Sequence, residues 1–271
     1  MCGRYALYGP VSRLREAFDA VPEGFEFEPR WNAAPMQWLP VVRQRSNGER
    51  VIHRLRWGLV PSWAKDETIA TRLINARGES VAEKPSFRAA FRRRRCIVPA
   101  NGFYEWQQVA GGKQPFYIHP VGGEFFALAG LWERWTRPAD GEELDTFTIV
   151  TTEANAAMRP LHDRMPVILA PGDYWAWLNG ATAADQVQAL VRPCPEAALA
   201  VYPVGKEVGN VRNEGADSAT RLLAQSPRCH ISQGLAFEVL SVRPASSRDC
   251  YQIRKPSSCA MSHRLSPSPG S

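Results

Sequence analysis

Short apolar runs separated by turn residues recur through residues 1–224, and this recurrence limits the architectures open to the chain. Runs at 39–43, 51–57, 96–99, 116–119, 125–131, 146–151 and 167–169 are rich in Val, Ile, Phe and Trp, and Gly, Pro or Asn often lies near their ends. That is the pattern of short strands. Helical segments are fewer: 11–18, 86–92, 155–158, and 171–178 leading into 185–191. Many short strands with few helices predict an α+β fold. A curled, mostly antiparallel sheet would make a barrel-like or sandwich core flanked by short helices. A chain of 271 residues can bury one large core or two small ones. With no long linker, repeat or low-complexity break in 1–224, the expectation is a single domain over that span. Residues 225–271 are rich in Ser, Pro and Arg with little periodicity; they are expected to be mostly disordered, with 234–242 as a single strand.

Several function classes are excluded early. No stretch approaches the roughly 20 apolar residues of a membrane span. The first residues lack the basic-then-apolar pattern of a signal peptide, so a cytoplasmic protein is expected. The six cysteines (2, 96, 194, 229, 250 and 259) form no CxxC pair, which argues against zinc and against a disulfide framework. No metal and no cofactor are expected. Cys96, in the run Cys96-Ile97-Val98, reads as a buried spectator. The absence of GxxxxGK[ST], GxGxxG and HExxH argues against a nucleotide hydrolase, a Rossmann dehydrogenase and a zincin. Charge is uneven. Residues 1–100 hold 18 Lys+Arg against 10 Asp+Glu, whereas 101–224 hold 9 against 15. A basic first segment rich in Arg and Trp fits a polyanionic partner, although folded proteins often mix such segments on one surface.

Five stretches carry candidate chemistry. MCGRYAL places Cys2 directly after the start methionine. With Met1 removed, Cys2 would present an α-amine and a thiol on adjacent carbons. That 1,2-aminothiol condenses with an aldehyde to an imine and closes a thiazolidine; otherwise Cys2 is a harmless thiol on a frayed end. WGLVPSWAKD carries Trp57 and Trp63 around a stiff turn. They make either a stacking platform for unpaired bases or two core tryptophans. INARGES alternates Asn75, Arg77 and Glu79, which share one face if extended: an orienting amide and a phosphate fork, or a polar edge strand. FRAAFRRRRCIVPANGFYEW runs from an Arg cluster into an apolar strand and then to Glu105 between Tyr104 and Trp106. A carboxylate desolvated by aromatic neighbours has its pKa raised and suits a general acid; the alternative is an outward-facing strand Glu. LHDRMP holds His162, one of five histidines, in a charged loop before an apolar strand, as a proton carrier or as half of a structural His–Asp pair.

Taken together and in order, MCGRYAL, WGLVPSWA, NARGE, FRAAFRRRRCIVPANGFYEW, FALAGLWE, TFTIVTTEAN and LHDRMPVIL resemble the SOS response-associated peptidase family, also called abasic site processing proteins, over about residues 2–220. The resemblance implies a monomeric, nucleoid-associated protein that binds single-stranded DNA containing abasic sites. It would shield the lesion in the DNA damage response by linking itself to the ring-opened sugar. In that reading Cys2 is the nucleophile and Asn75 holds the Cys2 end and the sugar. Glu105 and His162 move protons. Arg4 and Arg77 grip phosphates, and Trp57 or Trp63 props flanking bases. An α-amine titrates near about 8, so it needs less tuning than a lysine near about 10.4, and Arg4 is expected to lower the neighbouring thiol. Two other readings remain open: a thiol peptidase or autopeptidase, with lyase activity as a further outcome, and a non-covalent reader of damaged or modified DNA.

Overall fold

In the computed structural model, residues 2–24 and 27–222 are described. The expected segments 225–271 and 234–242 lie outside them. The apolar runs become strands, and the register of those strands decides where the site forms. In chain order they are β1 (Tyr5–Leu7), β2 (Val21–Pro22), β3 (Arg30–Ala33), β4 (Trp38–Gln44), β5 (Arg50–Trp57), β6 (Asn75–Arg77), β7 (Arg95–Ala100), β8 (Gly102–Val109), β9 (Gly112–Pro120), β10 (Phe126–Thr136), β11 (Glu143–Glu153), β12 (Arg164–Pro166), β13 (Ile168–Leu169) and β14 (Leu199–Pro203). Four short helices accompany them: α1 (Val11–Phe18), α2 (Arg88–Arg93), α3 (Tyr174–Leu178) and α4 (Ala184–Ala189).

Strands β5, β4, β7, β10 and β11 pair antiparallel in that order. Strand β11 then returns alongside β5 in parallel, Thr146 opposite Arg56 and Phe147 opposite Trp57, which closes a five-strand barrel. The α+β class and the curled, mostly antiparallel core are as expected. Because side chains alternate along a strand, Leu39, Val41, Leu55, Trp57, Phe147 and Ile149 share one face, and all are fully buried. Trp57 and Phe147 stack within it at 6.2 Å. The opposite face carries Val42, Ile52 and Ile97 and packs with the apolar sides of the helices, Leu14 and Phe18 from α1, Phe91 from α2 and Trp177 from α3. The second sheet runs β14, β9, β8, β1, β3, antiparallel throughout.

One local feature differs from expectation, and two others shape the surroundings of the site. Residues 155–158 form hydrogen-bonded turns instead of a helix: Arg159 donates to the Asn155 carbonyl, but the next residue, Pro160, has no N–H to continue the ladder. The Arg run divides. Arg92 and Arg93 are exposed and Arg94 pairs with Glu133 at 2.6 Å. Arg95 is buried and donates to the carbonyls of Phe91, Arg92, Trp177 and Asn179. A buried guanidinium satisfied by four carbonyls ties α2 to α3 and is no phosphate ligand. Gly102, where β7 turns into β8, stands so close to Tyr117 that a Cβ would lie 2.4 Å from its ring. Glycine there lets β8 reach β1, pairing Ala6 with Gly102 and Tyr5 with Phe103.

Candidate functional site

The site forms where the segment before β1 crosses from the second sheet to the barrel. Tyr104 donates its N–H to the Arg4 carbonyl at 3.0 Å, so residues 2–4 run alongside β8. On the barrel side β6 lies parallel to β11, with Asn75 opposite Ile149 and Arg77 opposite Thr151. Asn75 Nδ2 donates to the Cys2 carbonyl at 2.9 Å. Its Oδ1 is buried and accepts no hydrogen bond, so an acceptor stands ready beside Cys2.

Cys2 is fully buried. Burial pushes its thiol up to about 12, and the negative charge of Glu105 adds to the rise, while a backbone hydrogen bond from Arg4 opposes it. Arg4 does lower the thiol, as expected, but only through this backbone bond, and desolvation outweighs it. Glu105 is 4% exposed on β8, between the buried Tyr104 and the half-buried Trp106, and burial raises its carboxyl above the usual range.

His162 reaches the same region through its loop. Gln107 of β8 donates to the Pro160 carbonyl at 3.2 Å, and Ala154 donates its N–H to the Asp163 carbonyl at 2.9 Å. His162 Nδ1 lies 2.6 Å from the exposed Asp163 carboxylate and accepts the Arg164 N–H at 2.9 Å. The carboxylate calls for a proton on Nδ1 and the Arg164 N–H for a bare Nδ1, so the neutral ring can carry its proton on either nitrogen. Burial lowers the His162 pKa, which favours this neutral ring.

The four expected DNA contacts separate. Arg77 and Trp63 are exposed; Trp63 Nε1 points to the Pro85 carbonyl at 3.4 Å. Arg4 is half-buried and its Nη1 serves the fold, donating to Asn32 Oδ1 at 2.8 Å and the Val208 carbonyl at 3.0 Å, with its guanidinium 5.9 Å from the Trp106 ring. Trp57 is a correction. It is fully enclosed in the barrel and donates Nε1 to the Ile74 carbonyl at 2.9 Å, so it cannot stack on a base. It holds the residue before Asn75 in place.

Arg164 was not singled out from the sequence. It grips Glu79 through two bonds, Nη1 to Oε1 at 2.6 Å and Nη2 to Oε2 at 3.0 Å, and Nη2 also reaches the Thr151 carbonyl at 2.8 Å. These hydrogen bonds hold the Glu79 carboxyl below the usual range. The clamp fixes the turn after β6 to the loop that carries His162. The charged residues of NARGES and LHDRMP were visible in the sequence; which of them meet was not. Among the described residues, no cluster of three or more His, Cys, Asp or Glu gathers to hold a metal, and Cys2, Cys96 and Cys194 are unpaired. Cys96 is fully buried and burial raises its thiol. No described helix is long and apolar enough to cross a membrane.

The motifs that meet at Cys2 lie within residues 1–211, and that span matches the family model "SOS response associated peptidase (SRAP)". The chain belongs to the SOS response associated peptidase family. Two Bacillus subtilis relatives are similar along almost their whole length. Abasic site processing protein YoaM is 41% identical over 223 residues, 80% of this chain and 96% of the relative. Abasic site processing protein YoqW is 42% identical over 219 residues, 79% and 96%. The Gallus gallus abasic site processing protein HMCES is 33% identical, covering 79% of this chain and 76% of its own. Among solved structures, a Bacteroides thetaiotaomicron protein superposes with a TM-score of 0.76 at 24% identity over 82% of this chain and all of its own, a likeness of fold. A Bordetella bronchiseptica protein superposes at 0.66 and 29% identity over 75% of this chain and all of its own. In this family member, therefore, the barrel, the second sheet and the crossing segment between them follow a shared architecture.

Proposed function

We propose that this family member processes abasic sites in DNA by covalent capture through Cys2 after removal of Met1. The observation that carries the reading is the Asn75 hydrogen bond to the Cys2 carbonyl, which holds the start of the mature chain beside the buried Glu105. The freed α-amine of Cys2 attacks the C1′ aldehyde of the ring-opened deoxyribose. Loss of one water gives an imine. The thiol then adds across the C=N bond, its proton passing to the nitrogen, and a five-membered thiazolidine closes. The net change is protein plus DNA minus one water. Glu105, with its raised carboxyl, delivers the proton that lets hydroxide leave as water. Neutral His162 accepts the proton shed by the amine. Asn75 Oδ1 accepts from the amine or from a sugar hydroxyl. Exposed Arg77 and Trp63 take a phosphate and a flanking base of a single strand.

The raised Cys2 thiol favours this order over peptide cleavage. A thiol peptidase needs a thiolate near neutral pH, which burial beside a carboxylate opposes. An amine that attacks first needs no thiolate, and the held thiol closes the ring at high effective concentration. Intact mass spectrometry of the purified protein mixed with an abasic-site oligonucleotide tests the proposal. An adduct at the sum of the masses less one water, absent from Cys2→Ala, is expected. A mature protein with free Cys2 that forms no adduct overturns the covalent reading.

A further inference from the structure

The far mouth of the barrel holds a cavity of about 580 Å³, lined in part by Arg43, His53, Arg94, Trp132 and Arg134. Register explains the grouping. Val41 lies opposite His53, Trp132 opposite Phe147 and Arg134 opposite Asp145, so Arg43, His53, Trp132 and Arg134 share the inward face with Trp57 and Phe147. They sit at the ends of β4 and β10 and the start of β5. Asn75 pairs with Ile149, four residues beyond Asp145 on β11, roughly 13 Å further along at about 3.3 Å per residue. The cavity is therefore separate from the Cys2 site.

Its donors are unusually rich. Arg43 is 9% exposed, lies 4.3 Å over the Trp132 ring and donates Nη1 to Asp145 at 3.1 Å, one bond for a group with five donors. Burial lowers its pKa as the leading effect, ahead of the opposing Asp145 charge, so the cation is under-compensated where it stands. Across the cavity Arg94 binds Glu133 at 2.6 Å, and its Nε is buried and donates to no acceptor. Gln44 and Ser62 add neutral polar groups to the wall. The carboxylates nearby are already held: Asp145 by Arg43 and Arg134, Glu133 by Arg94, Glu143 by Arg134, Glu49 by Arg45, and Glu23 by Arg45 and His53. The cavity lined by Ser12, Arg15, Glu16, Asp19, Glu49 and Arg50, among others, is as large, but there acids outnumber the arginines.

We infer that this mouth binds a phosphoryl anion, with the Arg43 and Arg94 guanidiniums as its ligands and Trp132 as the wall for any planar group attached to it. Barrel mouths with a few convergent polar groups and an aromatic wall are common ligand sites. Guanidinium forks match a phosphate's oxygens. The shared chemistry is a phosphate; the source is inorganic phosphate or a mononucleotide.

Isothermal titration of the full chain with inorganic phosphate, with 5′-dAMP and with deoxyadenosine separates them. Phosphate and dAMP are expected to bind and deoxyadenosine to show no heat. A dAMP affinity about tenfold above phosphate assigns the site to nucleotides, and equal affinities assign it to the free anion. Arg43→Lys and Arg94→Gln should each weaken binding about tenfold or more. The conservative Lys keeps a partner for Asp145, and a thermal midpoint for each variant shows that it folds. Cys2→Ala should bind as the wild type does. No binding of phosphate or dAMP at about 10 mM, or binding that neither folded variant weakens, overturns the inference.

Discussion

Asn75 and Cys2 stand 73 positions apart in the chain, and the Asn75 side chain holds the Cys2 carbonyl at 2.9 Å. The bond joins the segment before β1 of the second sheet to β6, which pairs with the barrel strand β11. It sets the direction in which the mature chain end would point. Asn75→Ala is expected to cost about 1 kcal/mol of stability for a lost hydrogen bond. The cost to chemistry is larger. A misdirected amine should crosslink an abasic oligonucleotide at least tenfold more slowly, read as adduct formed against time.

Glu105 sets a pH signature. Its folded carboxyl is raised by burial above the ordinary value of 4.5, so the folded state binds its proton more tightly than the unfolded chain does. Its stabilising contribution is present below the ordinary value and is lost as pH rises through the folded one. Glu105→Gln removes that loss. The variant's melting midpoint should exceed the wild type's near neutral pH, and the gap should close as pH falls to about 4. The same variant should form adduct more slowly.

The two tryptophans of WGLVPSW should behave oppositely. Trp57→Ala opens a cavity inside the barrel and leaves the Ile74 carbonyl without its donor, at a cost of about 3–5 kcal/mol. Trp63 is 57% exposed. Trp63→Ala should leave the melting midpoint nearly unchanged and weaken single-stranded DNA binding by about 1–3 kcal/mol. Denaturation and a binding titration on both variants give the comparison.

The two arginines proposed to meet phosphate also separate. Arg77 is exposed, so Arg77→Ala should reduce the slope of log affinity against log salt by about one without changing stability. Arg4 serves Asn32 and Val208. Arg4→Ala should lower stability by about 1–3 kcal/mol along with any loss of binding. Affinity at several salt concentrations, paired with denaturation, distinguishes a phosphate contact from a structural one.

The sequence alone determined the strand periodicity, the α+β class and the order of motifs that marks the family. These are local properties: an apolar run alternates or it does not, and a turn residue interrupts it or does not. It also singled out the side chains proposed to carry chemistry, since Cys2, Asn75, Glu105 and His162 stand out by type and setting. Only the tertiary structure decided how each is used. Whether a tryptophan faces a barrel interior or water depends on the β5–β11 closure, a contact between residues 90 positions apart. Whether Arg95 caps a helix or meets solvent depends on α3 arriving beside α2. Whether the Cys2 thiol titrates low or high depends on how much water the crossing sheets exclude around it. Burial is a property of the assembled surface, and no short stretch of residues contains it.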